Sequence, residues 1–218
     1  NFADAHHTFL ISQYIAPLWS GASEWGLHFG ERLFWWLHIL GIFAFLNYLP
    51  YSKHFHIILA FPNTYYANLK AKGRFENNAA VTKEVALMMD PTADPFAAPP
   101  PDADAPVERF GAKDANDLSW ANLLNAYTCT ECGRCTSECP ANLTGKKLSP
   151  RKIMMDTRDR IEEIGANIAV NGTFLDDGKS LLGDYITNEE LWACTSCNAC
   201  VQACPVDIDP LNIIMKLR

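Results

Sequence analysis

Apolar and polar positions change their pattern sharply along the chain. From Leu33 to Ser52, twenty residues carry no formal charge (LFWWLHILGIFAFLNYLPYS), and apolar character resumes at Ile57 and ends at Phe61–Pro62. About 20 such residues suffice to cross a bilayer as a helix. Residues 33–62 are therefore expected to form one transmembrane helix, bent at Pro50, whose ring removes a backbone donor and crowds the preceding turn. Trp35, Trp36, Tyr48 and Tyr51 stand where rings could mark headgroup boundaries. A buried helix in a globular core is the alternative for the same pattern. Residues 8–19 are apolar but short and interrupted by Pro17, so 1–32 reads as an interfacial segment or the end of a truncated membrane region.

Beyond the span the chain turns polar. Residues 63–117 read as a helix leaving the membrane, over 64–89, followed by a Pro-rich linker with six Pro in 91–106. Residues 118–218 carry a helical pattern. A helix is expected from Pro150 to about Ala169, with Ile153, Ile161, Ile164 and Ile168 near one face, and Thr187 with Glu190 can form a capping box. One basic residue, Arg32, lies in 1–32, against Lys53, Lys70, Lys72 and Arg74 in 51–75. The positive-inside rule then puts the C-terminal side in the cytoplasm and the span in the inner membrane. The formal charge of −7 argues against nucleic acid as a partner, because tracking phosphates needs excess Lys and Arg.

Composition divides the chain again: all six His lie at or before residue 56 and all eight Cys at or after residue 129. The cysteines form two groups, Cys129-x2-Cys132-x2-Cys135-x3-Cys139-Pro140 and Cys194-x2-Cys197-x2-Cys200-x3-Cys204-Pro205. Both match the bacterial ferredoxin run for [4Fe–4S] clusters, in which the Cys before Pro ligates the other cube. The expected sets are Cys129, Cys132, Cys135 and Cys204 on cluster 1, and Cys194, Cys197, Cys200 and Cys139 on cluster 2. Zinc is the first rival, but it prefers CxxC pairs. Disulfides are the second, and they need an oxidising compartment. Thr130, Thr136, Thr195 and Ser196 are candidate donors to the thiolates, or ordinary loop residues.

A repeat accompanies the cysteines. Ser149-Pro150 and Asp209-Pro210 each pair an N-cap residue with Pro at the first helical position, then share Ile, Met and Arg at equal offsets, ending at Arg158 and Arg218. The 55 residues from Cys139 to Cys194 leave room for helices that compact β-rich ferredoxins lack. The expected fold is all-α: a transmembrane helix followed by an α-helical ferredoxin domain holding two [4Fe–4S] clusters.

Residues 118–218 resemble the two-cluster domain of heterodisulfide reductase C-type subunits. They are also similar to domains of glycolate and lactate oxidase iron–sulfur subunits and of succinate dehydrogenase iron–sulfur subunits. All eight cluster Cys are present, which within that resemblance implies no three-iron centre. The family's cysteine-rich CCG domain does not occur in these residues; it would lie on another subunit, in an extension beyond Arg218, or not exist, and a CCG-domain or flavoprotein subunit is the implied redox partner.

His38 and His56 are eighteen residues apart, which on one continuous helix puts them on one face about 27 Å apart. His54 would point to nearly the opposite face. An intramembrane His is a functional suspect, although on spacing alone an ordinary hydrogen-bonded role competes equally. Pro50-Tyr51-Ser52-Lys53-His54-Phe55-His56 followed by Pro62 is similar to the last helix of nitrate reductase gamma-subunit-type cytochrome b. That resemblance implies that His38 and His56 are axial ligands of haem b, with partner ligands from a helix before Asn1. His6, His7 and His28 match no ligand position. The fusion of such a helix with a two-cluster domain resembles electron-transfer flavoprotein:quinone and heterodisulfide reductase-like oxidoreductases. It implies an electron-transfer subunit between a cytoplasmic redox partner and membrane quinone. A haem-free subunit anchored by one helix, or a structural iron–sulfur docking module, are the alternatives. No nucleophile–base pair or phosphate-cradling glycine loop is found.

Overall fold

The computed structural model describes residues 10–19, 21–71, 73–75, 77–90 and 110–218. His6, His7, Lys72 and the expected Pro-rich linker lie outside the described residues. The chain divides into two compact units, Asn1–His54 and Phe55–Arg218.

In the first unit, short helical turns at Ser12–Ile15 and Ala16–Trp19 precede the 25-residue helix α1, Glu24–Tyr48. It begins nine residues before Leu33 because Ser23 caps it: the Ser23 Oγ accepts the Gly26 N–H at 3.2 Å. Glu24, Glu31 and Arg32 therefore lie on the helix itself. Within Glu24–Tyr51 the most apolar eighteen residues have a mean hydropathy of 1.5, and the helix is long and apolar enough to cross a membrane.

The single helix expected over 33–62 is two helices. After Tyr48 the backbone tightens into 3₁₀ turns at Leu49–Tyr51 and Lys53–Phe55, and a second helix, α2, runs His56–Tyr65. Pro50 cannot donate to the preceding turn. Ser52 completes the break: its Oγ donates to the Leu49 carbonyl at 3.1 Å and accepts the His54 N–H at 3.3 Å. His38 and His56 thus sit on different helices, so the five-turn spacing along one axis does not apply. The expected polar helix over 64–89 is also shorter, with α3 confined to Ala79–Met89.

Helix α2 packs in the second unit against α4, Trp120–Thr128, with Tyr66 and Trp120 edge to face at 4.9 Å between ring centroids. Helix α4 in turn packs on the long α5, Pro150–Asn171, which also carries α7, Pro210–Leu217; the short α6 is Asn188–Trp192. Among the described residues there is no strand, only an isolated bridge between Leu182 and Ile186. Ser149 and Asp209 cap α5 and α7 through the N–H groups of Lys152 and Asn212, and Thr187 with Glu190 forms the expected capping box. Ile153, Met154 and Ile164 of α5 join Leu211, Ile213 and Ile214 of α7 among the buried residues. Ile168, expected on that face, is exposed, because the packed part of α5 ends before it.

Candidate iron–sulfur site

Each cysteine group is a loop followed by one helical turn, and the two loops repeat at a constant offset of 65 residues, from Cys129 to Cys194. Cys129 ends α4, donating its N–H to the Ala126 carbonyl; Cys194 follows α6 and donates to Leu191. Two residues later the chain turns left-handed in both loops, at Glu131 (φ 61°) and Ser196 (φ 57°), and again at Gly133 (φ 83°) and Asn198 (φ 61°). These turns swing backbone N–H groups inward. The Ser196 N–H meets the Cys194 Sγ at 3.4 Å, and the Glu131 N–H hydrogen-bonds the Cys129 sulfur in the same way. The helical turns that follow, Arg134–Ser137 and Ala199–Gln202, pack side by side.

This packing brings cysteines of the two loops within electrostatic reach of one another. Cys129 feels the charge of Cys204 and of Cys132, and Cys135 that of Cys129 and Cys132. Cys194 feels Cys139 and Cys197, and Cys200 feels Cys194 and, from the first loop, Cys135. Burial, followed by these like charges, pushes the thiols of Cys129, Cys135 and Cys194 up and that of Cys200 to about 12. Left as thiols they would stay protonated at neutral pH. A bound cationic centre reverses this and releases the protons.

The donor set fits iron–sulfur centres on three counts. All eight Cys are free thiols. Backbone amides point at their sulfurs, as thiolate-bound centres require. Among the described residues, no three His, Cys, Asp or Glu side chains converge tightly enough for a single ion. Zinc would draw its thiolates to ~2.3 Å from one point, whereas ligands at the corners of a cube stand further apart.

One Arg from each repeat lies beside the first Cys of its loop. Arg158 donates to Glu131 Oε1 at 2.6 Å and is close enough to favour the Cys129 thiolate. Arg218 donates to the Cys194 and Leu191 carbonyls, stacks 5.0 Å over the Trp192 ring and favours the Cys194 thiolate. Of the donors read from sequence, Thr136 reaches Cys135 through both its hydroxyl and its N–H. Ser196 serves through its backbone, its hydroxyl turning to Met215 Sδ. Thr130 and Thr195 are exposed, and neither is seen bonding a sulfur. Sequence reasoning missed Glu131 and Asn198; a left-handed backbone at Glu131 has no sequence signal, although Asn198 is a residue type that tolerates one.

Cys132 and Cys197 are exposed, the other six are not. Cys132 opens on a cleft of about 470 Å³ between the two helical turns, lined also by Arg134, Glu138 and Gln202.

Comparison with known proteins gives the same picture. Residues 128–208 match the family of the 4Fe-4S dicluster domain. The chain carries an iron–sulfur domain. It is similar to "Probable iron-sulfur-binding oxidoreductase FadF" of Bacillus subtilis, at 32% identity over 95% of this chain and 30% of that protein. An "EtfAB:quinone oxidoreductase" of Syntrophomonas wolfei is 27% identical over 86% of this chain and 26% of its own length. A component of the CoB-CoM heterodisulfide reductase of Methanosarcina acetivorans is 31% identical over 46% of this chain and 49% of its own. The chain spans less than a third of the first two relatives, and no solved structure matches it.

The histidines are less gathered. His38 is exposed on α1, His56 is half-buried at the start of α2, and the His54 ring lies 6.2 Å from that of Phe45. His28 Nδ1 stands 3.7 Å from Glu31 on the helix surface.

Proposed function

We propose that the chain relays electrons between a cytoplasmic redox partner, a CCG-domain or flavoprotein subunit, and the quinone pool of the inner membrane through two [4Fe–4S] centres. The first would be held by Cys129, Cys132, Cys135 and Cys204, the second by Cys194, Cys197, Cys200 and Cys139. The observation that supports the reading is that Cys129 feels the charge of Cys204 and Cys194 that of Cys139, each pair joining one loop to the other. When bound, the centres supply reversible one-electron storage. The chain's own residues do the rest. Burial excludes water, the N–H groups of Glu131, Ser196 and Ile208 stabilise negative charge on sulfur, and Arg158 and Arg218 offset the charge of the thiolates.

Membrane attachment is supported by α1 and by the basic residues that follow it, Lys53, Lys70, Lys72 and Arg74, which favour a cytoplasmic site for the cluster domain. The quinone link rests on the printed name of the Syntrophomonas relative. Haem b ligated by His38 and His56 is the finer form of this proposal. The second reading is a haem-free subunit anchored by α1, which the apolar length of that helix serves equally well.

Anaerobic purification of the native membrane protein tests all of this. About eight irons and eight labile sulfides per chain are expected, with two EPR-active centres on reductive titration. Zinc, or iron without sulfide, would end the proposal. In the same sample, b-type bands that lose one component on His38→Ala and another on His56→Ala would establish the haem form, and their absence leaves the anchored form.

A further inference from the structure

Asn63 is 3% exposed, and it projects from α2, a helix that lies outside the dicluster match. A buried amide needs a partner. It finds one 143 residues away: Asn63 Nδ2 donates to the Val206 carbonyl at 2.8 Å.

Val206 lies in the turn that closes the second loop, Cys204-Pro205-Val206-Asp207-Ile208. That turn passes through a left-handed residue, Asp207 (φ 55°), and returns the Ile208 N–H to the Cys204 Sγ at 3.4 Å. A non-glycine residue in this conformation persists only where its surroundings hold it. Two side chains do so. Asn63 fixes the Val206 carbonyl on one side of Asp207, and Asn125 of α4 accepts the Asp209 N–H at 3.0 Å on the other. The corresponding stretch after Cys139 is built differently, as a helical turn Pro140–Leu143, whose own brace is Asn142 donating to the Leu148 carbonyl. The brace from α2 therefore belongs to Cys204 alone of the two Cys-Pro positions.

We infer that Asn63 is a positioning residue for the first iron–sulfur centre: by holding the Val206 carbonyl it keeps the Ile208 amide aimed at the Cys204 sulfur. The inference rests on the two-centre reading above and on the crossed assignment of Cys204. It also makes α2 a working part of the electron-transfer unit, although its sequence reads as the end of a membrane span. An N–H bond to a ligating sulfur stabilises the reduced state, so loosening the turn makes the first centre harder to reduce and leaves the second unchanged.

The test uses Asn63→Asp, which keeps the shape and removes the donor, and Asn63→Leu, which carries the test alone should the Asp variant not fold. Each is compared with the parent membrane protein by EPR-monitored redox titration. The expected result is about a tenfold loss in the one-electron reduction equilibrium of one centre, ~59 mV downward. The affected signal is the one that disappears in Cys204→Ser. Selective loss of that centre from a folded variant supports the same conclusion. Tyr66→Leu, which removes the ring contact with Trp120 and spares the turn, should lower thermal stability and move neither potential. Equal shifts of both centres, or a loaded first centre at the parent potential, overturn the inference. Absence of iron and sulfide from the parent overturns the two-centre reading instead.

Discussion

Glu131 and Ser196 occupy a backbone region that costs an L-residue roughly 1–2 kcal/mol. Each spends that energy on one hydrogen bond to sulfur, from the residue two places after the first Cys of its loop. The spacing of the cysteines is legible in the sequence, but the dihedral angles that aim the amides are not, because Glu and Ser carry no preference for them. Arg160 makes the same point away from the site. On a helical pattern it reads as a surface residue, yet it is fully buried, with its guanidinium donating to Asp114, to Asp177 and to the Lys179 carbonyl. Arg160→Met is expected to cost about 3 kcal/mol, because it strips two carboxylates of their partner. The guanidinium bonds hold Asp177 at about 2; at Asp114 burial works upward, but the bonds from Arg160 prevail and the carboxyl is lowered. Folded values below the unfolded one give stability that is complete above about pH 4 and lost as the pH falls toward 2. The gap in unfolding midpoint between parent and Arg160→Met should therefore narrow from pH 7 to pH 3, and a constant gap would refute the electrostatic account.

At the scale of elements, caps rather than charges set the boundaries. A run of uncharged residues suggests a helix over 33–62, whereas Ser23 starts α1 at Glu24, and Pro50 with Ser52 ends it before α2 begins. Helix α5 is plainer in the sequence, since Ser149-Pro150 marks its start; it runs two residues past the expected end at Ala169, to Asn171, where Gly172 closes it at φ 78°. Two glycines of this region should respond in opposite directions to the same change. Gly172→Ala forces a Cβ into a left-handed cap and should cost about 1 kcal/mol. Gly165→Ala, in the helical interior with open space around it, should gain about 0.5–1 kcal/mol. Thermal unfolding of the loaded protein reads both, and equal signs would contradict the cap.

For the whole molecule, the proposed crossed ligation makes a prediction that neither loop makes alone. Cys204→Ser should remove the centre built mainly on the first loop, and Cys139→Ser the one built mainly on the second, as read by EPR and by loss of about four irons in each case. Loss of the centre nearer in sequence would mean that each loop keeps its own fourth ligand. Sequence by itself determined the two cysteine groups, the repeat, the capped helices and the long apolar stretch, because spacing, caps and apolar runs are local properties that a linear chain displays. The tertiary structure decided that the turns of the two cysteine loops pack side by side, that Arg160 is buried, and that Asn63 reaches Val206 across 143 residues. These depend on which surfaces the folded chain brings into contact, and a contact between distant residues leaves no periodic trace in either of the segments that make it.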